Sequence, residues 1–171
     1  MNQLIKRYGL FGLLSVALIA FDQWTKSLAY NGLRVNGPIV LIKGVFELLY
    51  SENRGAAFGI LQGKQWFFLL VAAAVVIVVL LFLSKLPFER RYLPLFGCMV
   101  LLVSGAVGNV IDRLMRGFVV DFLYFSLIDF PIFNVADCYV VVAACCLILL
   151  TGFFYKDEEF DFLNSKPTKE Q

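Results

Sequence analysis

The sequence predicts an all-α polytopic membrane protein, with four transmembrane helices and a small extramembrane β-rich loop region on the outer face. Three observations carry this. The chain of 171 residues is 60% hydrophobic and 16% charged, whereas ordinary soluble domains are roughly 45–50% apolar. Its mean hydropathy is +0.80. Four stretches also reach or approach the ~20 apolar residues that a spanning helix needs.

The first stretch is uncharged from Tyr8 to Phe21 and runs on through Asp22 and Lys26, giving a helix over roughly 8–28. Lys6 and Arg7 ahead of it resemble the start of a secretory signal peptide. No small-x-small cleavage site follows cleanly, so the segment reads as a retained first span. The other spans fall at roughly 66–84, 92–112 and 134–155, with Trp66 as an interface anchor. Residues 1–171 read as a single membrane domain without internal repeats. The outer loop, roughly 31–65, holds two β-forming runs, from Ile39 to Ile42 and from Val45 to Tyr50. Gly-Pro and Lys-Gly breaks separate the runs, so a hairpin or small sheet resting on the bilayer is expected. Asn53 then precedes Gly55, Ala56, Ala57, Phe58 and Gly59, small residues that permit close backbone approach. The tail, 156–171, mixes acids with lysines and reads as solvated and frayed. Four spans put both termini on one side. Lys6, Arg7, Lys85, Arg90 and Arg91 lie in short segments on that side, and their density marks it as cytoplasmic.

Composition also excludes chemistry. Histidine is absent, so no Ser-His-Asp or Cys-His arrangement and no histidine zinc site can form. Cys98, Cys138, Cys145 and Cys146 lack paired metal-ligand spacing and read as small packing residues. No basic patch suggests a nucleic-acid partner.

Two aspartates stand out. Asn109 and Asp112 close the third span, and Asn134 and Asp137 open the fourth. The topology puts both carboxylates at the outer face. Ionisable groups at that depth are costly and read as functional by default. Each asparagine shares a helix face with its aspartate, where an amide can fix a carboxylate. Two close carboxylates cannot easily both ionise and so share a proton. The charged one can activate water while the neutral one polarises an amide carbonyl, with no metal or cofactor. Spacing alone leaves three readings open. The pair is polar glue, with Asp112 on Arg113 or Arg116 and Asp137 capping the fourth helix; or it is catalytic; or it couples protons in a transporter. Against the last, the second span has no polar side chain between Trp66 and Leu83.

The motifs extend the reading. They are Asp22-Gln23 with Lys26, Asn53 with Gly55-Ala56-Ala57-Phe58, Gly108-Asn109 with Asp112-Arg113, Val119-Val120-Asp121-Phe122, and Asn134 with Ala136-Asp137. In this order, over residues 8–155, the chain resembles the lipoprotein signal peptidase (signal peptidase II) family of bacterial inner-membrane aspartyl endopeptidases. Cys138 stands where the family often has serine. The resemblance implies cleavage of diacylglyceryl-modified prolipoproteins just before the lipidated cysteine, with Asp112 and Asp137 as the catalytic dyad. It also implies contact with membrane lipids, inhibition by globomycin-type cyclic peptides, cytoplasmic termini and a site near the outer face. Asn53, Gly55, Asn109, Arg113 and Asn134 are then expected to bind substrate or support the dyad. Asp22, Lys26 and Asp121 are expected as structural support, the first two as a polar anchor for the outer loop or an ordinary interfacial salt bridge, and Asp121 with substrate contact as its second reading. Arg113 and Arg116, just past a helix end, are candidates to meet lipid phosphate.

Overall fold

The structure is a computed structural model that describes residues 3–55 and 64–163. The Ala56-Ala57-Phe58 part of the loop motif and the last eight tail residues lie outside them. Helix α1 covers Gln3–Leu28. It continues through a π turn, Ala29–Leu33, and one α turn, Arg34–Asn36. Gly37, in the left-handed region at φ 85°, ends it at a backbone angle glycine adopts without a Cβ penalty. Helix α2 is Gln65–Lys85, α3 is Leu93–Arg116 and α4 is Val135–Leu149, which runs on as a π turn over Leu150–Phe154. Among the described residues, four helical stretches are long and apolar enough to cross a membrane, the longest being Leu4–Asn36 with 33 residues.

Helix α3 is the central post. Half of its apolar window is buried, against 11–17% in the other three spans, because α1, α2 and α4 all pack on it. Two glycines allow the closest approaches. A Cβ on Gly105 would meet the Ala136 carbonyl oxygen at 2.5 Å, and one on Gly108 would meet Asp22 Oδ2 at 2.6 Å. Small residues at such seams are how membrane helices gain contact without a hydrophobic drive between them. The outward faces keep their apolar side chains exposed, Ile77, Val78 and Leu81 on α2 among them, as a lipid solvent allows.

One end of the bundle is tied by polar and aromatic contacts. Buried Arg7 donates to the carbonyls of Ser84 and Leu86 at the end of α2. Beyond α4 the chain does not fray at once. Asp157–Leu163 forms a 3-10 helix. Phe162 packs edge-on against Phe82 and Tyr92, and Tyr92 stacks on Tyr155. Arg91 donates to Glu159 at 2.7 Å and holds that carboxyl down at about 2. The expectation of a frayed tail is therefore corrected for 157–163, because its aromatic residues find partners on the helix ends, while Asp157, Glu158 and Asp161 stay exposed as expected.

The other end carries a three-stranded antiparallel sheet in the order β1-β2-β3. Strands β1, Ile39–Ile42, and β2, Phe46–Asn53, form the expected hairpin. Strand β3, Val119–Tyr124, was not expected as a strand; it lies in the connection after α3. Gly117, at φ 78°, stops α3 with its N–H on the Arg113 carbonyl at 3.1 Å. The chain can then turn back and pair Asp121 with Ser51 and Val119 with Asn53. The free edge of β3 is closed by Phe133, which exchanges backbone hydrogen bonds with Leu123.

Candidate active site

Four aspartates gather at the sheet end of the bundle, Asp22, Asp112 and Asp121 buried and Asp137 half-buried, and they fall into two neighbourhoods of opposite character. The first joins α1 to α3. Lys26, fully buried, places its Nζ 2.9 Å from Asp22 Oδ2, 3.3 Å from Asp112 Oδ2 and 2.8 Å from Asn109 Oδ1. Asp22 Oδ1 also accepts the Ala136 N–H at 2.9 Å, at the start of α4. Asp112, with no exposed surface, pairs through Oδ1 with Arg116, one helical turn on, and accepts the Val120 N–H at 3.1 Å. Two carboxylates and two cations thus neutralise one another in a dry setting.

The second neighbourhood joins β3 to α4. Asn134 N-caps α4 in a capping box: its side chain accepts from the Asp137 N–H at 3.0 Å, and Asp137 Oδ2 accepts the Asn134 N–H at 3.1 Å. The Asn134 amide then donates to Asp121 Oδ1 at 2.6 Å, so one residue touches both carboxylates. Asn53, at the end of β2, donates to Asp121 Oδ2 at 2.9 Å. Asn109 donates to Asp137 Oδ1 at 2.8 Å. Among the described residues neither Asp121 nor Asp137 forms a salt bridge. Burial, and after it the charge of Asp137, push the Asp121 carboxyl up to about 7. Both carboxylates line a cavity of about 520 Å³ with Asn53, Gly55 and Arg113. The rest of its lining is apolar, from Phe130 and Ile132 to Cys138, Val141 and Val142 beside Asp137 on α4.

Asp112 was expected to share a water with Asp137. It does not line this cavity; Lys26, Arg116 and the Val120 amide occupy it instead. The asparagine three residues before it, Asn109, turns its amide to Asp137 rather than to Asp112. Asp22 and Lys26 anchor α1 to α3 and α4, not to the outer loop. Arg116 is committed to Asp112. Arg113 faces the cavity, donating to the Gly55 carbonyl at 3.3 Å with its guanidinium 4.5 Å from the Phe68 ring centroid. Asp121, read as support, is the carboxylate beside Asp137. A signal for this was present in the sequence: Asp22 with Lys26 and Asp112 with Arg116 are both i, i+4 pairs, which leaves Asp121 and Asp137 without a paired cation; Arg113 acts on them only across the cavity.

Comparison with known proteins bears on what this site is. Residues 14–154 match the family model described as signal peptidase (SPase) II. The chain belongs to the signal peptidase II family. A lipoprotein signal peptidase of Streptococcus thermophilus (strain CNRZ 1066) is 43% identical over 135 residues, covering 79% of this chain and 87% of that one. The lipoprotein signal peptidase of Clostridioides difficile (strain 630) is 42% identical over 147 residues, covering 85% and 96%. A solved structure described as a bacterial membrane enzyme matches with a TM-score of 0.74 at 29% identity, covering 95% of each chain. A second, at 30% identity, matches with a TM-score of 0.73 over 86% of this chain and 95% of that one. As a signal peptidase II the protein is a multi-pass membrane peptidase. Its family-like motifs, on five separate elements, meet in one hydrogen-bonded network: Asp22 and Lys26, Asn53, Asn109 and Asp112, Asp121, and Asn134 with Asp137.

Proposed function

We propose that this signal peptidase II is an aspartyl endopeptidase acting on diacylglyceryl-modified prolipoproteins, cutting just before the lipidated cysteine, and that its dyad is Asp121 and Asp137. The observation that carries the assignment is that these two carboxylates alone among the four line the cavity, joined through Asn134 and free of salt bridges. Asp121, with its carboxyl pushed to about 7, exchanges its proton near neutral pH, and its protonated form donates a hydrogen bond to the scissile carbonyl. Asp137 takes a proton from water as the oxygen attacks. The tetrahedral intermediate collapses when that proton passes to the cysteine nitrogen, which leaves as an amine. Asn53, Asn109 and Asn134 hold the carboxylates without neutralising them. Arg113 and Gly55 stand at the wall where a peptide backbone would lie.

The cavity suits an anchored substrate. Val141 and Val142 line it and are 60% and 50% exposed on the outward face of α4, so a lipid-bound chain can reach it sideways from the bilayer. Cyclic peptides of the globomycin type would compete for the same cavity. We place the protein in the bacterial inner membrane with the sheet end outward and both termini cytoplasmic. The support is the density of Lys6, Arg7, Lys85, Arg90 and Arg91 at the other end. The test is cleavage of a lipidated precursor by purified variants. Asp121→Asn and Asp137→Asn should be folded and inactive, and Asp112→Asn should retain turnover per folded molecule. Normal turnover in Asp121→Asn would return the dyad to Asp112.

A further inference from the structure

A second cavity, of about 270 Å³, lies on the opposite face of the sheet from the aspartates. Alternation along β3 separates the two: Asp121 faces the first cavity and Phe122 the second. Leu48 and Ile39 from the sheet complete the roof of the second cavity, and its floor is one face of the end of α1. That floor includes the π turn Ala29–Leu33, a local widening often found at functional sites. At Gly32 the backbone lies open, with nothing within 4 Å of where a Cβ would stand.

We propose that this cavity holds an acyl chain of a bilayer phospholipid. Its lining is almost wholly apolar, and it opens onto surface that already faces lipid. Phe21, Trp24 and Leu28 form an exposed stripe along α1, at 48%, 58% and 56%, and Leu28 is also a wall of the cavity. On the other rim Ile39 is 52% exposed and also lines it. A chain lying along the α1 stripe therefore passes into the cavity without leaving apolar contact, and water there would find few partners. The acyl chains of the substrate are not the occupant, since β3 stands between them and this space. The bound chain fills the gap between α1 and the strand that carries Asp121, so it stiffens that strand's mounting.

The proposal is independent of the active-site reading and is tested without an activity assay. The protein is reconstituted in phosphatidylglycerol nanodiscs doped with phosphatidylglycerol bearing a diazirine near one acyl terminus. Irradiation and peptide mapping should find label on Leu48 and Phe122 that saturates with probe, while label on lipid-facing Val78 rises without saturating. Gly32→Leu, which grows into the open space, should cut label on Leu48 and Phe122 by about tenfold, the ratio that 1.4 kcal/mol of lost affinity gives, and leave Val78 unchanged. Gly12→Leu, also with open space at its Cβ, should change neither. Absent or non-saturating label on Leu48 and Phe122 in the unmutated protein overturns the proposal, whether or not Gly32→Leu folds. So does equal label in Gly32→Leu. Label delivered there by a diazirine on the acyl chain of a lipidated precursor, displacing that from phospholipid, overturns it in favour of a substrate subsite.

Discussion

Asp112 and Asp121 are nine residues apart and equally buried, at 0% and 2% exposure, yet their surroundings oppose each other. Asp112 is met by two cations and a backbone amide; Asp121 is met by two side-chain amides and a neighbouring carboxylate. Burial of a carboxylate therefore says little about its role. A buried charge compensated by cations is locked and contributes to the fold, and removing one partner is costly. A carboxylate held only by neutral donors keeps its place while its proton stays exchangeable, which is what acid–base work requires.

The contrast can be broken most sharply by Asp→Asn changes. At Asp121 or Asp137 kcat on a lipidated precursor should fall by about 10³-fold or more, within the range expected for acid–base groups, with folded protein still recovered. At Asp112 the loss should appear in the yield and melting of folded protein, while kcat per folded molecule stays within about tenfold. The reverse pattern would exchange the roles of the two neighbourhoods.

Next in size is Lys26→Met, which leaves Asp22 without its cation and Asp112 with Arg116 alone. Breaking a buried pair in this way costs about 3–5 kcal/mol, to be read as thermal unfolding in detergent. A variant as stable as the parent would remove the cation cluster from the fold's account.

The pH dependence separates the neighbourhoods next. The folded protein raises the Asp121 carboxyl from 3.8 to about 7. Folding thus tightens proton binding there, and this group's contribution to stability is full below about pH 4 and is lost as pH rises to about 7. At 1.36 kcal/mol per unit the change is about 4 kcal/mol. Asp121→Asn should flatten the fall in melting temperature between these limits. In the active enzyme, kcat/KM should decline as pH rises through about 7, when Asp121 loses the proton it donates. A rate that climbs steadily through this window would contradict the assigned roles.

Smaller effects sharpen the boundary. Asn109 bridges the two neighbourhoods, accepting from Lys26 and donating to Asp137. Asn109→Leu should cost about 1–3 kcal/mol, divided between melting and kcat. Asn53→Ala removes one donor from Asp121 and should lower kcat by about tenfold, roughly one charge-assisted hydrogen bond, with little effect on melting.

Much of this architecture was legible in the sequence. The spans follow from apolar length, and the hairpin from β-forming runs between Gly breaks. Strand β3 was not, because Val119 to Tyr124 is a short run whose strand character comes from pairing with β2, a contact remote in sequence. The site was half legible. Asp137 and its cap could be read from local spacing, since a capping box is a local device. The choice between Asp112 and Asp121 could not be read from the asparagine three residues before Asp112, because Asn109 reaches across to α4. The choice of Asp121 proposed above rests partly on charge pairing, which is visible in the sequence along α1 and α3. The docking of 157–163 was hidden by its acidic residues, although Phe160 and Phe162 were there to signal it.

The length of α1 has a mechanical consequence. At ~1.5 Å per residue, the 33 residues of Leu4–Asn36 make a rod of about 50 Å, against about 30 Å of hydrocarbon. The sheet is mounted on this rod, through Leu33, Leu48 and Phe122, and α3 and α4 are bound to the same rod by Lys26 and Asp22. A thicker or thinner bilayer is then met by tilting of the whole bundle, and the position of the aspartates along α1 stays constant. The enzyme carries its own measure of where the membrane surface lies.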